Sequence, residues 1–123
     1  MKLSPTEETL MQHLWNREQA FMKDLIDAYE DPKPAATTIA TLLKRMIDKE
    51  FVNYREYGNS REYYPTVSRN DYFAKHVNGL IKNFFNNSAA QFASFFTTQT
   101  NLSTTELETL KRLIDEQIQK KQP

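Results

Sequence analysis

The sequence predicts a mainly α-helical fold with a small β-hairpin wing, in which a winged helix-turn-helix is followed by a second helical region. Three observations predict this class: three helical patterns precede Lys49, a hairpin signal follows them, and the segments after Pro65 show helical spacing throughout. The 123 residues include two glycines, which disfavours a fold of many strands and turns. The predicted domains are residues 1–67, the winged helix-turn-helix, and residues 68–123, the helical region.

The first helix is predicted from its start signal. Ser4 can accept a hydrogen bond at the N-cap, Pro5 suits the first helical position, and Glu7 completes a capping box. The helix is expected to end near Asn16. Its apolar stripe is expected to pack into the core and consists of Leu10, Met11, Leu14 and Trp15.

Two further helices are predicted before the hairpin. Apolar side chains at helical spacing indicate a short helix over Ala20–Tyr29, and the segment with Pro32 and Pro34 ends it. The third helix is expected to begin at Pro34 or Ala35 and to end near Lys49. Its apolar residues repeat at helical spacing, whereas its threonines, a lysine and an arginine lie largely on the other side.

A β-hairpin, the wing, is predicted after the third helix. The β-prone runs Phe51–Tyr57 and Arg61–Pro65 flank the turn-forming triplet Gly58–Ser60. A third helix followed directly by a hairpin is the order of elements in a winged helix-turn-helix. A hairpin with a purely structural role would give the same periodicity.

The region after the wing is predicted to consist of helices that need a partner. One helix is expected over about Arg69–Asn86, one from near Ser88, and one after Ser103, where Glu106 completes another capping box. A region of about 55 residues is marginally stable alone, and a second copy of the same chain is the commonest partner. The residues predicted to form a homodimer interface are Phe73, Val77, Leu80, Ile81, Phe84, Phe92, Phe95, Phe96, Leu110 and Ile114.

Basic residues are concentrated in the middle of the chain although the formal net charge is zero. Met1–Pro32 contains three basic and seven acidic residues, whereas Lys33–Arg69 contains seven basic and four acidic residues. A basic region is the usual electrostatic sign of nucleic-acid binding. The positive charge therefore lies in the predicted third helix and wing, which are the DNA-contacting parts of this fold.

The predicted DNA contacts lie on the third helix and the wing. Threonines near the start of the third helix can contact base edges, and the basic residues one turn later are placed for phosphates. The alternatives are a solvated threonine face, and wing arginines paired with Glu56 and Glu62. The predicted contact residues are Thr37, Thr38, Thr41, Lys44, Arg45, Arg55, Asn59 and Arg61.

Several function classes are disfavoured by composition. The chain has no cysteine, which excludes disulfides, thiolate zinc sites and cysteine nucleophiles. His13 and His76 lie in different segments without metal-ligand spacing, and there is no glycine-rich phosphate loop. We therefore predict no enzymatic activity, no metal and no cofactor. The sequence has neither an apolar run of about 18 residues nor a signal-peptide core, so we expect a cytoplasmic protein without membrane insertion.

Two alternative functions stay open on the residues alone. A winged helix can serve as a protein-interaction module without contacting DNA, and the neutral net charge is compatible with this alternative. A steep loss of DNA affinity with rising salt would separate DNA binding from it. A small-molecule-responsive regulator could use a pocket among Phe84, Phe92, Phe95 and Phe96, although such aromatic clusters more often form interfaces.

Several segments, in order, resemble the BlaI/MecI/CopY family of bacterial repressors over nearly the whole chain. The first is a capped helix ending in a leucine-tryptophan pair, and the others match the recognition helix, the wing and the C-terminal signatures. The segments that carry the resemblance are Leu3–Trp15, Thr37–Met46, Lys49–Val52, Tyr64–Pro65, Phe84–Ser88 and Leu102–Leu107.

The resemblance implies a homodimer that represses genes, such as those for β-lactam resistance or copper handling, from a palindromic operator. Copper-responsive members carry a cysteine-rich motif that this chain lacks. Penicillinase repressors are released when a membrane zinc metalloprotease sensor cleaves an Asn-Phe bond, and the corresponding bond here is Phe95-Phe96. The family also commonly has glycine where this chain has Glu50.

Overall fold

The computed structural model describes residues 2–123, and Met1, the first residue of the predicted N-terminal domain, lies outside them. The chain divides into two compact units after His76. Helix α4 is continuous across this division. The elements are α1 (Pro5–Arg17), β1 (Ala20–Phe21), α2 (Met22–Ala28), α3 (Ala36–Asp48), β2 (Val52–Tyr57), β3 (Ser60–Pro65), α4 (Arg69–Phe84), α5 (Ala89–Gln99) and α6 (Thr104–Lys121).

The N-terminal unit is a winged helix-turn-helix built around one apolar core. Helices α1, α2 and α3 pack together and against an antiparallel sheet of strand order β1-β3-β2. The predicted stripe of α1 is buried except for Trp15, which is half-buried and donates its indole N–H to the Val67 carbonyl at 2.8 Å. The largest fully buried apolar side chains are Leu10, Met11, Leu14, Leu25, Ile39, Leu43 and Met46.

The predicted second helix, Ala20–Tyr29, was wrong at its start. Ala20 and Phe21 form strand β1, which pairs with β3 so that Ala20 lies opposite Tyr63. The helix begins only at Met22, after Phe21 donates its backbone N–H to Asp24 Oδ2 at 3.1 Å. Helical spacing did not reveal this because the stabilising backbone partner lies about forty residues later in the sequence.

The N-terminal unit extends beyond the predicted boundary at residues 67/68. Tyr72, in the first turn of α4, is 5 % exposed. Its hydroxyl accepts the Leu3 N–H at 3.1 Å and donates to Glu8 Oε2 at 2.7 Å, while its ring lies 5.9 Å from that of Phe51. Tyr72 therefore belongs to the N-terminal core, although its spacing also fits the stripe of a separate helical region.

The C-terminal unit has helices but no buried core of its own. None of residues 77–123, all of which the structure describes, is buried. Ser88 caps α5, and Ser103 and Glu106 form the predicted capping box of α6. These local hydrogen bonds define the helix starts, but the apolar side chains of the unit stay largely exposed.

A left-handed residue ends α3 and turns the chain into the wing. Glu50 has a φ of 66°. Its N–H donates to the Ile47 carbonyl at 3.0 Å, and the Phe51 N–H donates to the Met46 carbonyl at 2.9 Å. This pattern is a Schellman motif, whose left-handed position is usually glycine because a Cβ disfavours that conformation. The family that the sequence resembles commonly has glycine at the position of Glu50, and glycine suits this left-handed conformation.

We predict that Glu50→Gly raises the free energy of unfolding by about 0.5–1 kcal/mol, because glycine relieves the strain of the left-handed conformation. Urea denaturation monitored by circular dichroism measures the change. Glu56→Gly is the control, since Glu56 is an exposed strand residue and glycine should destabilise the chain there. A loss of stability in Glu50→Gly would contradict the account of this turn.

Candidate nucleic-acid interface

Helix α3 presents a polar face of small and basic side chains. The alanine and threonine residues of its first turns are followed by Lys44 and Arg45, while Ile39, Leu43 and Met46 are buried on the opposite side. This division follows from the 3.6-residue period of the helix. All five predicted contact residues of this helix are exposed: Thr37, Thr38, Thr41, Lys44 and Arg45.

The start of α3 can be approached closely by a ligand. The N-cap is Ala35, which makes no side-chain hydrogen bond to the helix. The Thr41 hydroxyl donates to the Thr37 carbonyl at 2.9 Å. Its oxygen keeps acceptor capacity for a base amino group. Small side chains at this end therefore leave little bulk between the helix backbone and a ligand.

The wing is a hairpin with a two-residue loop, Gly58-Asn59. Tyr57 pairs with Ser60, so Ser60 belongs to β3 and not to the predicted turn triplet. Gly58 has a φ of 60°, while Asn59 is not among the residues with positive φ. Glycine at the first loop position is the preference of a type II′ turn, whose twist matches that of the strands. Asn59 consequently lies exposed at the tip.

The wing arginines stack on tyrosine rings. The Arg55 guanidinium lies 4.3 Å from the centre of the Tyr64 ring, and the Arg61 guanidinium lies 4.3 Å from that of Tyr54. The alternative pairing with Glu56 and Glu62 does not occur in the structure of residues 2–123. Stacking holds each guanidinium by its face and leaves N–H donors at its edge for a phosphate. The two arginines lie on opposite faces of the hairpin because their cross-strand pairs alternate.

A buried carboxylate lies beside the basic end of α3. Glu7 is 2 % exposed, and its Oε1 accepts the Ser4 N–H at 2.8 Å. Lys49 Nζ lies 2.8 Å from Oε2 and 3.0 Å from Oε1, and the Arg45 guanidinium lies 3.7 Å from Oε2. The capping box predicted the Ser4 contact, but no local pattern predicted the ion pairs with Lys49 and Arg45.

The charge on Glu7 is maintained by its hydrogen bonds. Burial raises the pKa of this carboxyl. The hydrogen bonds from Lys49 and Ser4 and the charge of Lys49 lower the pKa, and together they outweigh the effect of burial. The resulting pKa lies below the ordinary value of 4.5. Glu7 is therefore ionised in the folded protein at neutral pH.

The remaining predicted residues belong mostly to the C-terminal unit. Phe73 is an exception, because it lies in the N-terminal unit with its ring 6.0 Å from Trp15. Phe92 and Phe96 stack at 6.1 Å, and Phe85, which the sequence prediction omitted, lies 5.4 Å from Phe95. The residues that are exposed are Phe73, Val77, Leu80, Phe84, Phe95, Phe96 and Ile114, whereas Ile81, Phe92 and Leu110 are half-buried.

We predict that Glu7 makes the stability of the protein depend on acidic pH. Its folded pKa is depressed, so its contribution is present above the unfolded value and is lost as pH falls through the folded value. Urea denaturation between about pH 3 and about pH 7 should show the advantage of wild type over Glu7→Gln shrinking towards low pH. A difference that is constant with pH would contradict the prediction.

Several solved structures are similar to this chain, among them the following three. A cysteine-to-serine mutant of MarR from E. coli is 12% identical, with 95% of this chain and 79% of that chain covered and a TM-score of 0.51. The CopR repressor is 22% identical, with 55% of this chain and 100% of that chain covered and a TM-score of 0.46. BpsR from Bordetella bronchiseptica is 13% identical, with 94% of this chain and 80% of that chain covered and a TM-score of 0.49. The DNA binding of BpsR is regulated by 6-hydroxynicotinic acid. The likeness to MarR shows a shared winged-helix fold.

None of the curated proteins compared with the chain matches it. Within residues 2–123, no helix has the length and apolar character needed to cross a membrane. A family model described as the penicillinase repressor matches residues 3–116. The match spans the winged helix-turn-helix and most of the C-terminal helices. The chain therefore belongs to the penicillinase repressor (BlaI/MecI/CopY) family of DNA-binding transcriptional repressors.

Proposed function

We propose that this repressor binds a palindromic operator as a homodimer and is released when its C-terminal unit is cleaved. The observation that carries the DNA-binding part of the proposal is the polar face of α3 together with two wing arginines that are stacked on rings and form no ion pair within residues 2–123. The first part of the proposal concerns DNA contacts, the second the dimer, and the third its release.

The polar face of α3 is suited to the major groove. Thr37, Thr38 and Thr41 can exchange hydrogen bonds with base edges or offer methyl groups to thymine. Ala36, which precedes them, and Ala40, which lies among them, allow close approach. Lys44 and Arg45, one turn further along, are in reach of the phosphate backbone in this docking mode.

The wing supplies a second set of phosphate contacts. Arg55 and Arg61 are exposed, and stacking on Tyr64 and Tyr54 restricts their side chains before DNA arrives. Restriction in the free protein reduces the entropy lost on binding. Asn59 lies at the tip beside them and can donate to a phosphate or sugar oxygen.

A second copy of the chain is the proposed cover for the C-terminal unit. Residues 77–123 bury no side chain, although Val77, Leu80 and Ile114 are large apolar residues with 36–59 % exposure. Exposed apolar area of this kind marks an interface in soluble proteins. A closed two-fold dimer buries the same surface on both copies and matches the symmetry of a palindromic operator.

Cleavage in α5 is the proposed means of release. Phe95 and Phe96 lie within α5 and are 49 % and 36 % exposed. No residue of α5 is buried within a single chain, so once the proposed partner has dissociated, local opening of this helix to a protease costs little compared with opening the core. Cleavage at this bond would separate α6 from the rest of the chain. A membrane metalloprotease sensor is the proposed protease, by resemblance to penicillinase repressors.

We predict that Lys44→Gln weakens binding to operator and to scrambled DNA by a similar factor, because a phosphate contact carries no sequence information. The slope of log affinity against log salt should fall in magnitude by about 0.9, the value for one lost contact. Thr38→Val and Thr41→Val should instead change the preference between the two DNAs. Fluorescence anisotropy titrations over a salt series measure both effects.

Lys82→Gln is the matched control, since Lys82 is an exposed lysine of the C-terminal unit. It should leave affinity and slope close to wild type. Unchanged binding by Lys44→Gln at moderate salt would contradict the assignment of α3 as the recognition helix.

We predict that Ile114→Asp converts the protein from a dimer to a monomer of 14.5 kDa, because it places a charge in the proposed interface. Operator affinity should fall by about a hundredfold as the avidity of two linked sites is lost. Light scattering at micromolar concentration and anisotropy titration measure mass and affinity. Gln119→Asp adds the same charge outside the apolar stripe of α6 and is the control. If the wild-type protein has the mass of one chain, the prediction of a dimer is wrong.

A further inference from the structure

The two cations that contact Glu7 hold it in unequal ways. Lys49 binds both carboxylate oxygens within 3.0 Å, and its side chain is 30 % exposed. Arg45 approaches one oxygen at 3.7 Å, outside hydrogen-bond geometry, and its side chain is 49 % exposed. Lys49 is thus the principal partner of Glu7, and Arg45 is a loosely attached second one.

Arg45 can leave Glu7 without stranding a buried charge. When the guanidinium moves away, Oε1 still accepts from the Ser4 N–H and from Lys49, and Oε2 still accepts from Lys49. The large penalty for an unpaired buried carboxylate therefore does not arise. Loss of the weak, half-exposed contact is a much smaller cost.

Arg45 also lies on the DNA-facing stripe of α3. It follows Thr41 by four residues, so the two side chains occupy the same face of the helix. Lys49 lies beyond the last turn of α3, at the C-cap. Of the two cations that contact Glu7, Arg45 is therefore the one that shares a face with the base-reading threonines.

We propose that Arg45 exchanges partners on DNA binding, leaving the Glu7 carboxylate for a backbone phosphate. Glu7 is then a positioning residue that competes with DNA for this arginine and moderates the affinity for DNA of any sequence. This inference rests on the proposed function, because it requires α3 to lie against the phosphate backbone. Lys49 stays with Glu7 throughout and keeps the end of α3 attached to α1.

A double-mutant cycle on the full chain tests the exchange. The proteins are wild type, E7Q, R45Q and E7Q/R45Q, and the probe is a fluorescein-labelled DNA duplex of arbitrary sequence titrated at several KCl concentrations. Glutamine at position 7 keeps the acceptor for the Ser4 N–H, as capping boxes with glutamine do. D48N is the matched control. Asp48 is an exposed carboxylate on α3, the helix that carries Arg45, and it forms no ion pair within residues 2–123.

We expect R45Q to reduce the magnitude of the salt slope by about 0.9. E7Q should tighten DNA binding by about two- to fivefold more than D48N does, the range of a half-exposed ion pair. In the R45Q background this extra effect of E7Q should disappear. An equal effect of E7Q with and without Arg45 would overturn the exchange.

The other outcomes separate the two proposals. If R45Q leaves affinity and slope unchanged while wild type binds DNA in a salt-dependent way, the exchange and the Arg45 phosphate contact fail, whereas DNA binding through the other proposed contact residues stands. If wild type shows no salt-dependent binding, the proposed function fails first. If E7Q does not fold, NMR of the wild-type protein replaces the cycle. The Arg45 Nε–H signal is assigned by its loss in R45Q, and it must shift when the duplex is added. An unchanged signal overturns the exchange.

Discussion

The attachment of Glu7 to Lys49 is the interaction on which the geometry of the N-terminal unit depends. Glu7 completes the cap of α1, and Lys49 is the C-cap of α3, so one ion pair joins the start of the first helix to the end of the third. Immediately afterwards the left-handed Glu50 sends the chain into β2. These two contacts fix where α3 ends, while its own amphipathic pattern places its apolar side in the core and its threonine side in solvent.

Tyr72 imposes a second constraint, at the other side of the unit. Its hydroxyl joins the Leu3 backbone to the Glu8 carboxylate, and its ring lies against Phe51 and Trp15. The first turn of α4 is therefore part of the N-terminal unit, while the same helix continues to Phe84. In the proposed dimer this helix is the covalent connection between the paired C-terminal units and the two N-terminal units.

The local elements were predictable because their signals are local. Capping boxes at Ser4 and Ser103 and the glycine of the wing turn act over a few residues, and each lies in the structure at its predicted place. Strand β1 was not predictable, since its backbone partner is Tyr63 in β3. The Glu7–Lys49 pair spans 42 residues. The arginine-tyrosine stacks were missed because alternating Arg and Glu suggested ion pairs, whereas strand pairing also brings tyrosines into reach.

The two units differ most in how they are stabilised, and the difference bears on regulation. The N-terminal unit buries a full set of apolar side chains, so its opening exposes them all and costs the global unfolding free energy. The C-terminal unit has capped helices and paired phenylalanine rings, but it buries no residue. Its stability must therefore depend on what covers it. In the proposed function, a protease that removes the C-terminal helices leaves the N-terminal core folded, so the proposed release would appear as weakened operator binding and not as unfolding.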